Sequence, residues 1–288
     1  MRKVAILTTD NLEEFFVYDR LLEEPLKALA WEYSEVSWHA KNHNWDQYDV
    51  VVVRSTWDYQ AHCEEFLACL QSIENSSATL CNSMSLIEWN ISKEYLKELE
   101  EKGVPIIPTL WVDDLQEQHF SQAFKKFAGG EIVIKPYVSA NADFTYRLTQ
   151  DSASKHLASI IAEYKNRSAM IQPFLQSIVE QGEYSLFYFD SQYSHAICKQ
   201  PAKGDFRVQE EHGGQLTKIE PTTQMLALAE QTIKALPNEA LYARIDIVSF
   251  NNTLMIIEVE LIEPSLYFNM DESSPLFFAQ NFAKRFAK

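Results

Sequence analysis

The sequence predicts an α/β protein with a parallel βαβ layer at its N-terminus, followed by two α+β lobes. Three observations carry this expectation. Strand and helix signals alternate through residues 1–85. Short apolar strands then bracket helices and a Gly129-Gly130 turn between 104 and 175. Finally, two long apolar strands, Tyr242–Phe250 and Leu254–Ile262, precede a closing helix. A chain of 288 residues is long enough for two or three such lobes and a sizeable core.

Taken in order, Lys3–Thr8 reads as a buried strand ending in Thr9-Asp10, and apolar residues recur at helical spacing over Asn11–Ala30. Glu35–His39 and Val50–Val53 read as strands and Glu64–Ile73 as a helix. This order implies parallel strands whose C-terminal ends form the ligand edge. At one such end lies Arg54-Ser55-Thr56-Trp57-Asp58-Tyr59, whose donors, acceptors and rings suit a small polar substrate. A structural loop with a stacked tryptophan and an Arg–Asp pair accounts for the same residues equally well. Residues 86–102 read as a helix stopped by Gly103 and Pro105. In the small lobe the expected elements are strand Ile106–Leu110, helix Ser121–Phe127 and strand Glu131–Lys135. A strand near Phe144–Leu148, helix Ser152–Tyr164 and strand Ala169–Pro173 follow. The third lobe holds strands Tyr184–Asp190 and Tyr193–Lys199, helix Thr222–Leu236, the long strand pair, and a helix from about Pro275. The domains expected are therefore 1–85, 86–175 and 176–288.

Lysine and arginine number 25 against 41 acids, a net charge of −16. Such a balance repels phosphate backbones and anionic lipid, so nucleic-acid and membrane partners are not expected. Anionic small molecules must instead be drawn in by local basic groups. Apolar runs such as Val50–Val53 are too short to span a bilayer, and Met1-Arg2-Lys3 leads into a strand, not a cleavable signal. Cys63, Cys69, Cys81 and Cys198 show neither CxxC nor metal-finger spacing, so a reduced, cytoplasmic protein is expected.

The last strand pair carries the strongest chemical signal. Residues two apart on a strand share a face, so Arg244 and Asp246 point together, as do Glu258 and Glu260. A three-residue connection, Asn251-Asn252-Thr253, places Asp246 opposite Glu258 and Arg244 opposite Glu260. Opposed carboxylates on an otherwise apolar hairpin repel unless a cation or proton lies between them, and Mg²⁺ prefers such oxygens. A single strand acid usually faces solvent; three acids and an arginine on one face argue for a metal site.

Other positions are individually weak. Lys135 ends an apolar strand beside a loop and can reach a phosphate as a point charge, or reach solvent. Lys93 lies within a charged helix. Gln172-Pro173-Phe174-Leu175 forms a connector able to present backbone groups to a purine edge, and Glu183 can accept from ribose hydroxyls; a plain interlobe linker fits as well. The loop from Lys199 through Lys203 and Arg207 is basic within an acidic chain, and Arg207 best suits a γ-phosphate or a carboxylate. The sequence contains neither a GxxxxGK[ST] P-loop nor a GxGxxG fingerprint.

The order and spacing of these pieces resemble the ATP-grasp superfamily, nearest to bacterial glutathione synthetases and the ligase that closes the cycloserine ring. The resemblance covers residues 86–270 well and 1–85 more loosely. It implies an ATP-grasp fold with ATP bound between the small lid lobe and the C-terminal lobe, and an N-terminal substrate lobe. The helix lysine matches Lys93, the strand lysine Lys135, the adenine hinge Gln172 to Leu175, and the ribose acid Glu183. Arg207 matches the substrate or phosphate arginine, and Arg244 with Asp246, Glu258 and Glu260 matches the metal hairpin. Lys199 joins the nucleotide contacts. The implied activity is ATP- and Mg²⁺-dependent (Mn²⁺ also suits) joining of a small carboxylate to an amine through an acylphosphate. Arg207, Arg244 and Lys135 are the catalytic charges, and a homodimer is the family expectation. A kinase that stops at phosphoryl transfer, or a nucleotide binder without catalysis, fits the same positions. Two departures stand out. The loop Val138 to Asp143 has no glycine, leaving Ser139 and Asn141 as side-chain donors to phosphate, and Glu260 stands where many relatives carry asparagine.

Overall fold

Three sheets organise the chain. The structure is a computed structural model describing residues 1–13, 15–139 and 143–287. Asn141, one of the expected phosphate contacts, therefore lies outside the described residues.

The N-terminal sheet is wholly parallel, in the order β2-β1-β3-β4, with β1 Arg2–Thr8, β2 Trp31–Ser37, β3 Val50–Ser55 and β4 Thr79–Cys81. Every residue of β3 is buried because helices cover both faces. Val4, Ile6, Val50 and Val52 pack with α1 (Glu23–Ala28) and α9 (Ser274–Arg285), while Ala5, Leu7, Val51 and Val53 pack with α2 (Cys63–Glu74). The helix expected over Asn11–Ala30 is confined to a 3₁₀ turn at Asp19–Leu22 and α1. Pro25 is tolerated only in a helix's first turn, which bars an earlier start. β2 begins at Trp31, four residues before the expected Glu35, because Trp31 and Val36 supply its buried positions.

The small sheet is antiparallel, in the order β5-β8-β6-β7, with β5 Leu110–Val112, β6 Ile132–Pro136, β7 Tyr146–Leu148 and β8 Ala169–Pro173. Ile132 and Ile134 of β6 face α5 (Glu117–Lys126) and α6 (Gln150–Glu163), so Val133 and Lys135 point the other way, into a cavity. The strand expected at Ile106–Leu110 reduces to an isolated bridge between Ile106 and Ile256, with β5 beginning at Leu110.

The third sheet is antiparallel, in the order β11-β10-β9-β12-β13. Its strands are β9 Glu183–Phe189, β10 Gln192–Gln200, β11 Gln215–Lys218, β12 Tyr242–Phe250 and β13 Thr253–Glu260. The single helix expected at 86–102 is two, α3 Met84–Asn90 and α4 Tyr95–Glu101. At the break, the Lys93 amide donates to the Tyr137 carbonyl at 2.8 Å, outside any helical ladder. These helices, the linking segment of the expected 86–175 domain, pack on the third sheet. Leu86, Tyr95, Leu96 and Leu99 share a core with Ile245, Ile247, Ile256 and Val259. They also satisfy the free edge of β13. Asn90 Nδ2 donates to the Val259 carbonyl at 2.9 Å, the Leu261 amide donates to Asn90 Oδ1 at 2.9 Å, and the Val259 amide donates to the Tyr95 hydroxyl at 2.8 Å.

The first and third sheets are joined by buried polar contacts. The Tyr242 hydroxyl lies 2.7 Å from the Val53 carbonyl and 2.8 Å from that of Ile262, and Asn82 Nδ2 donates to the Leu261 carbonyl at 2.8 Å. No helix among the described residues is long and apolar enough to cross a membrane.

Candidate active site

The site begins with the register of β12 and β13. Arg244 pairs with Glu260 and Asp246 with Glu258, as the residue spacing predicts, but by a different route. Phe250 pairs with Thr253, so the turn is the two residues Asn251-Asn252, with φ of 50° and 61°. Asparagine is among the few residues at ease there, and the left-handed pair matches a type I′ hairpin. The shorter turn is offset by a bulge between Asp246 and Ile247, which restores the opposition of the acids.

A carboxylate oxygen from each of Asp246, Glu258 and Glu260 lies within 4.8 Å of the others. Cations surround them without neutralising every oxygen. Arg244 Nη2 lies 2.9 Å from Asp246 Oδ2 and also bonds Glu260 Oε1; Lys93 bonds Glu258 Oε1. The Ser185 hydroxyl donates to Asp246 Oδ1 at 2.5 Å, and Lys199 sits between Glu183 (2.5 Å) and Asp246 (3.4 Å). The second oxygens of Glu258 and Glu260 carry no hydrogen bond among the described residues. Burial alone would raise Asp246, but Arg244 and Lys199 outweigh it and hold the carboxyl at about 2. Glu260 goes the other way. Burial, only partly opposed by Arg244 and reinforced by Glu258 and Asp246, pushes it up to about 7. A hard divalent cation relieves this crowding, and the donor set fits Mg²⁺.

This cluster forms one wall of a cavity between the small and third sheets. Lys93, Lys135, Ser139, Gln172, Pro173, Phe174, Leu175, Glu183, Lys199 and Arg207 all line it, as do Arg244, Glu258 and Glu260. Asp246 stands just behind, 1% exposed. Lys135 has no hydrogen bond or ion pair among the described residues, and burial lowers its ammonium to about 8. Gln172 is fixed by donating to the Thr109 hydroxyl at 2.9 Å, and Phe174 lies beneath the Arg147 guanidinium, 3.6 Å from the ring centroid. Gly182 precedes Glu183 with φ of 92°, and a Cβ there would meet Cys198 Sγ at 2.5 Å. Its lack of a side chain lets the Glu183 strand approach β10. Arg207 forks onto Asp205, with Nη2 to Oδ2 at 2.7 Å; Lys203 is exposed and does not line the cavity.

The expected substrate run divides in two. Trp57 and Tyr59 line the cavity, but Arg54, Ser55, Thr56 and Asp58 do not. Arg54 is wholly buried, reaching Asp19 at 3.0 Å and the Pro264 carbonyl at 2.6 Å, and so holds the wall from behind. Ser55 and Thr56 are wholly buried too. Asp58 turns to the opposite side, accepting from Trp38 Nε1 at 2.7 Å and lying 2.7 Å from His39 Nε2. The cavity end beside Trp57 also contains Phe15, Glu263 and Tyr267, none of which the sequence patterns single out. Glu263 lies three residues past Glu260, beyond the strand whose alternation exposed the other acids.

Residues 105–274 match the family described as prokaryotic glutathione synthetase, ATP-grasp domain. The chain is an ATP-grasp ligase. Residues 4–82 of this ligase match the N-terminal domain of D-cycloserine synthetase DcsG. Along its whole length it is 30% identical to the cycloserine biosynthesis protein DcsG of Streptomyces lavendulae, over 98% of each chain. The crystal structure of D-cycloserine synthetase DcsG superposes with a TM-score of 0.84 at 26% identity, covering 98% and 99% of the two chains. D-alanine–D-alanine ligase from Bacillus anthracis shares the fold, with a TM-score of 0.67 at 13% identity over 98% and 95%. ATP-grasp ligases use ATP and Mg²⁺.

Proposed function

We propose that this ligase activates the carboxylate of a small amino-acid-like substrate with ATP and closes it onto a nitrogen nucleophile, as a cycloserine-type cyclisation requires. The observation that carries this reading is the position, across one cavity, of the Asp246–Glu258–Glu260 cluster and of Lys135, which has no hydrogen bond or ion pair among the described residues. A triphosphate supplies the anion that the lysine lacks and completes the coordination that carboxylates alone leave open. Similarity to DcsG supports the cyclising version. In cycloserine the acyl carbon is bonded to the nitrogen of an N–O unit, so ring closure joins two groups of one open-chain molecule.

In this reading the adenine lies against Gln172 to Leu175 and the ribose against Glu183. Lys93, Lys135, Ser139 and Lys199 line the phosphate path. Asp246, Glu258 and Glu260 would hold Mg²⁺, which would supply neutralisation of the triphosphate's charge. A substrate carboxylate oxygen attacks the γ-phosphorus and ADP leaves. The nitrogen then attacks the acyl carbon, phosphate departs with the electron pair, and the nitrogen's proton passes to solvent or phosphate. Arg244 and Arg207 stabilise the oxyanions formed in each step, and Lys135 the charge on the transferred phosphoryl group. No side-chain nucleophile is needed; the protein's work is positioning and excluding water.

Incubation with Mg-ATP and 2-amino-3-(aminooxy)propanoic acid tests the reading. Equal amounts of ADP, phosphate and cyclic product are expected. A persistent phosphorylated acid, or no ADP release with this compound or any amino-acid pair, overturns it.

A further inference from the structure

The ionisable side chains on the cavity wall fall into a pattern that points beyond ATP. Lys93 pairs with Glu258, Lys199 with Glu183, Arg244 with Glu260, and Arg207 with Asp205. Two half-buried groups have no counter-ion among the described residues, namely Lys135 at the nucleotide end and Glu263 at the end beside Trp57. Among the described residues, the Glu263 carboxyl is hydrogen-bonded by neutral donors. Gln60 Nε2 reaches its Oε1 at 3.2 Å, and the Tyr59 hydroxyl also bonds it. Burial, reinforced by Glu260 and only partly opposed by the Tyr59 hydroxyl and the more distant Lys93, pushes its carboxyl up to about 8. It does not belong to the Asp246–Glu258–Glu260 cluster. Trp57 Nε1 donates to the Glu263 backbone carbonyl at 2.8 Å, which fixes the Glu263 main chain beside an indole that in turn packs on Phe15 with ring centroids 5.1 Å apart.

An acid whose side chain pairs with no cation among the described residues, set among aromatic rings, gives up its proton to solvent when an organic ammonium arrives, and the carboxylate so formed is the chemistry that recognises that cation. The geometry points to Glu263 as a specificity-determining residue that binds the α-ammonium of the amino-acid substrate, the amine that does not react. This inference rests on the ligase reading above and adds an anchor to it. With the ammonium held at Glu263 and the carboxylate near Arg244, the substrate's two charged ends are fixed. Its remaining arm is then directed to the acyl carbon, and acids lacking the amine are rejected.

Calorimetric titration of the full chain with D-cycloserine, and with its counterpart lacking the amine, in the presence of Mg-ADP tests this. The amine-bearing ring should bind wild-type protein at least ~10-fold more tightly, a preference of the size a charge-assisted contact gives. In Glu263→Gln, which keeps an acceptor and loses the charge, the preference should fall to within about 3-fold. Mg-ADP affinity should stay unchanged. Glu263→Asp, which restores the charge on a shorter arm, should recover part of it. The same preference in Glu263→Gln as in wild type, or none in wild type, overturns the assignment. Failure of Mg-ADP to bind wild-type protein instead strikes the nucleotide reading. The amine preference is then measured on the nucleotide-free protein, where the same two results support or overturn the role of Glu263.

Discussion

Asn90 and Leu261 are hydrogen-bonded at 2.9 Å, side-chain oxygen to backbone amide, while the nitrogen of the same carboxamide serves the Val259 carbonyl. This side chain, with the Tyr95 hydroxyl, thus stands in for part of a sixth strand along the outer edge of β13, the strand that carries Glu258 and Glu260. Asn90→Ala leaves a buried donor and a buried acceptor unpaired, each costing roughly 1–3 kcal/mol. A fall of about 2–4 kcal/mol in unfolding free energy is expected, read as a lower urea midpoint at unchanged slope. A change below about 0.5 kcal/mol would show that water replaces the amide without penalty.

Asp246→Asn and Glu258→Gln should each reduce ATP turnover by at least ~10²-fold while leaving the circular dichroism spectrum unaltered. Turnover within a few-fold of wild type in either variant removes the metal assignment. Asp246→Asn also strips Arg244 and Lys199 of a shared partner, so its melting temperature is the more sensitive of the two.

Nucleotide affinity should depend on pH through Lys135. Burial lowers its ammonium to about 8, so the cation is present below that value and lost above it. A bound phosphate favours the protonated form, and affinity therefore weakens as pH rises past 8. Fluorescence titration with ADP from about pH 7 to 9.5 should show this loss, and Lys135→Met should bind weakly and without the slope.

His195 provides a stability test at a residue that does not itself line the cavity. It is 2% exposed, its Nε2 lies 3.1 Å from the Leu266 carbonyl, and burial lowers its pKa to about 4. The unfolded chain therefore takes up a proton in a window where the folded chain does not. Its contribution is intact above about pH 6.5 and declines as pH falls toward 4. Urea midpoints measured across that window should fall more steeply for wild type than for His195→Gln; parallel slopes would refute a neutral buried imidazole.

The parts of the site most legible in the sequence lie on strands. Period-two alternation set the shared faces of Arg244, Asp246, Glu258 and Glu260, and an apolar run ending in a basic residue marked Lys135. What the sequence hid depended on partners distant in the chain. Arg54 and Asp58 flank Trp57 in sequence, yet Arg54 answers to Asp19 and Pro264, and Asp58 to Trp38 and His39. Nothing local distinguishes those partners from a substrate. The break between α3 and α4 is similar, since no proline or glycine marks it and the groups that meet it, the Tyr137 carbonyl and the edge of β13, are distant in the chain. Even the correct register came from two opposed deviations, a shorter turn and a bulge, that cancel in the sum.

The burial of Arg54 has a mechanical consequence. With its guanidinium sealed against Pro264, the Tyr242 hydroxyl on Val53, and Asn82 on Leu261, the parallel sheet and the five-stranded sheet are bolted together and cannot swing apart without stranding buried polar groups. In the proposed function, the freedom to admit a nucleotide therefore falls to the four-stranded sheet bearing Lys135 and Gln172. The corner containing Trp57, Tyr59 and Glu263 is held by the same junction, through Trp57 on the Glu263 carbonyl and Gln60 on its carboxyl.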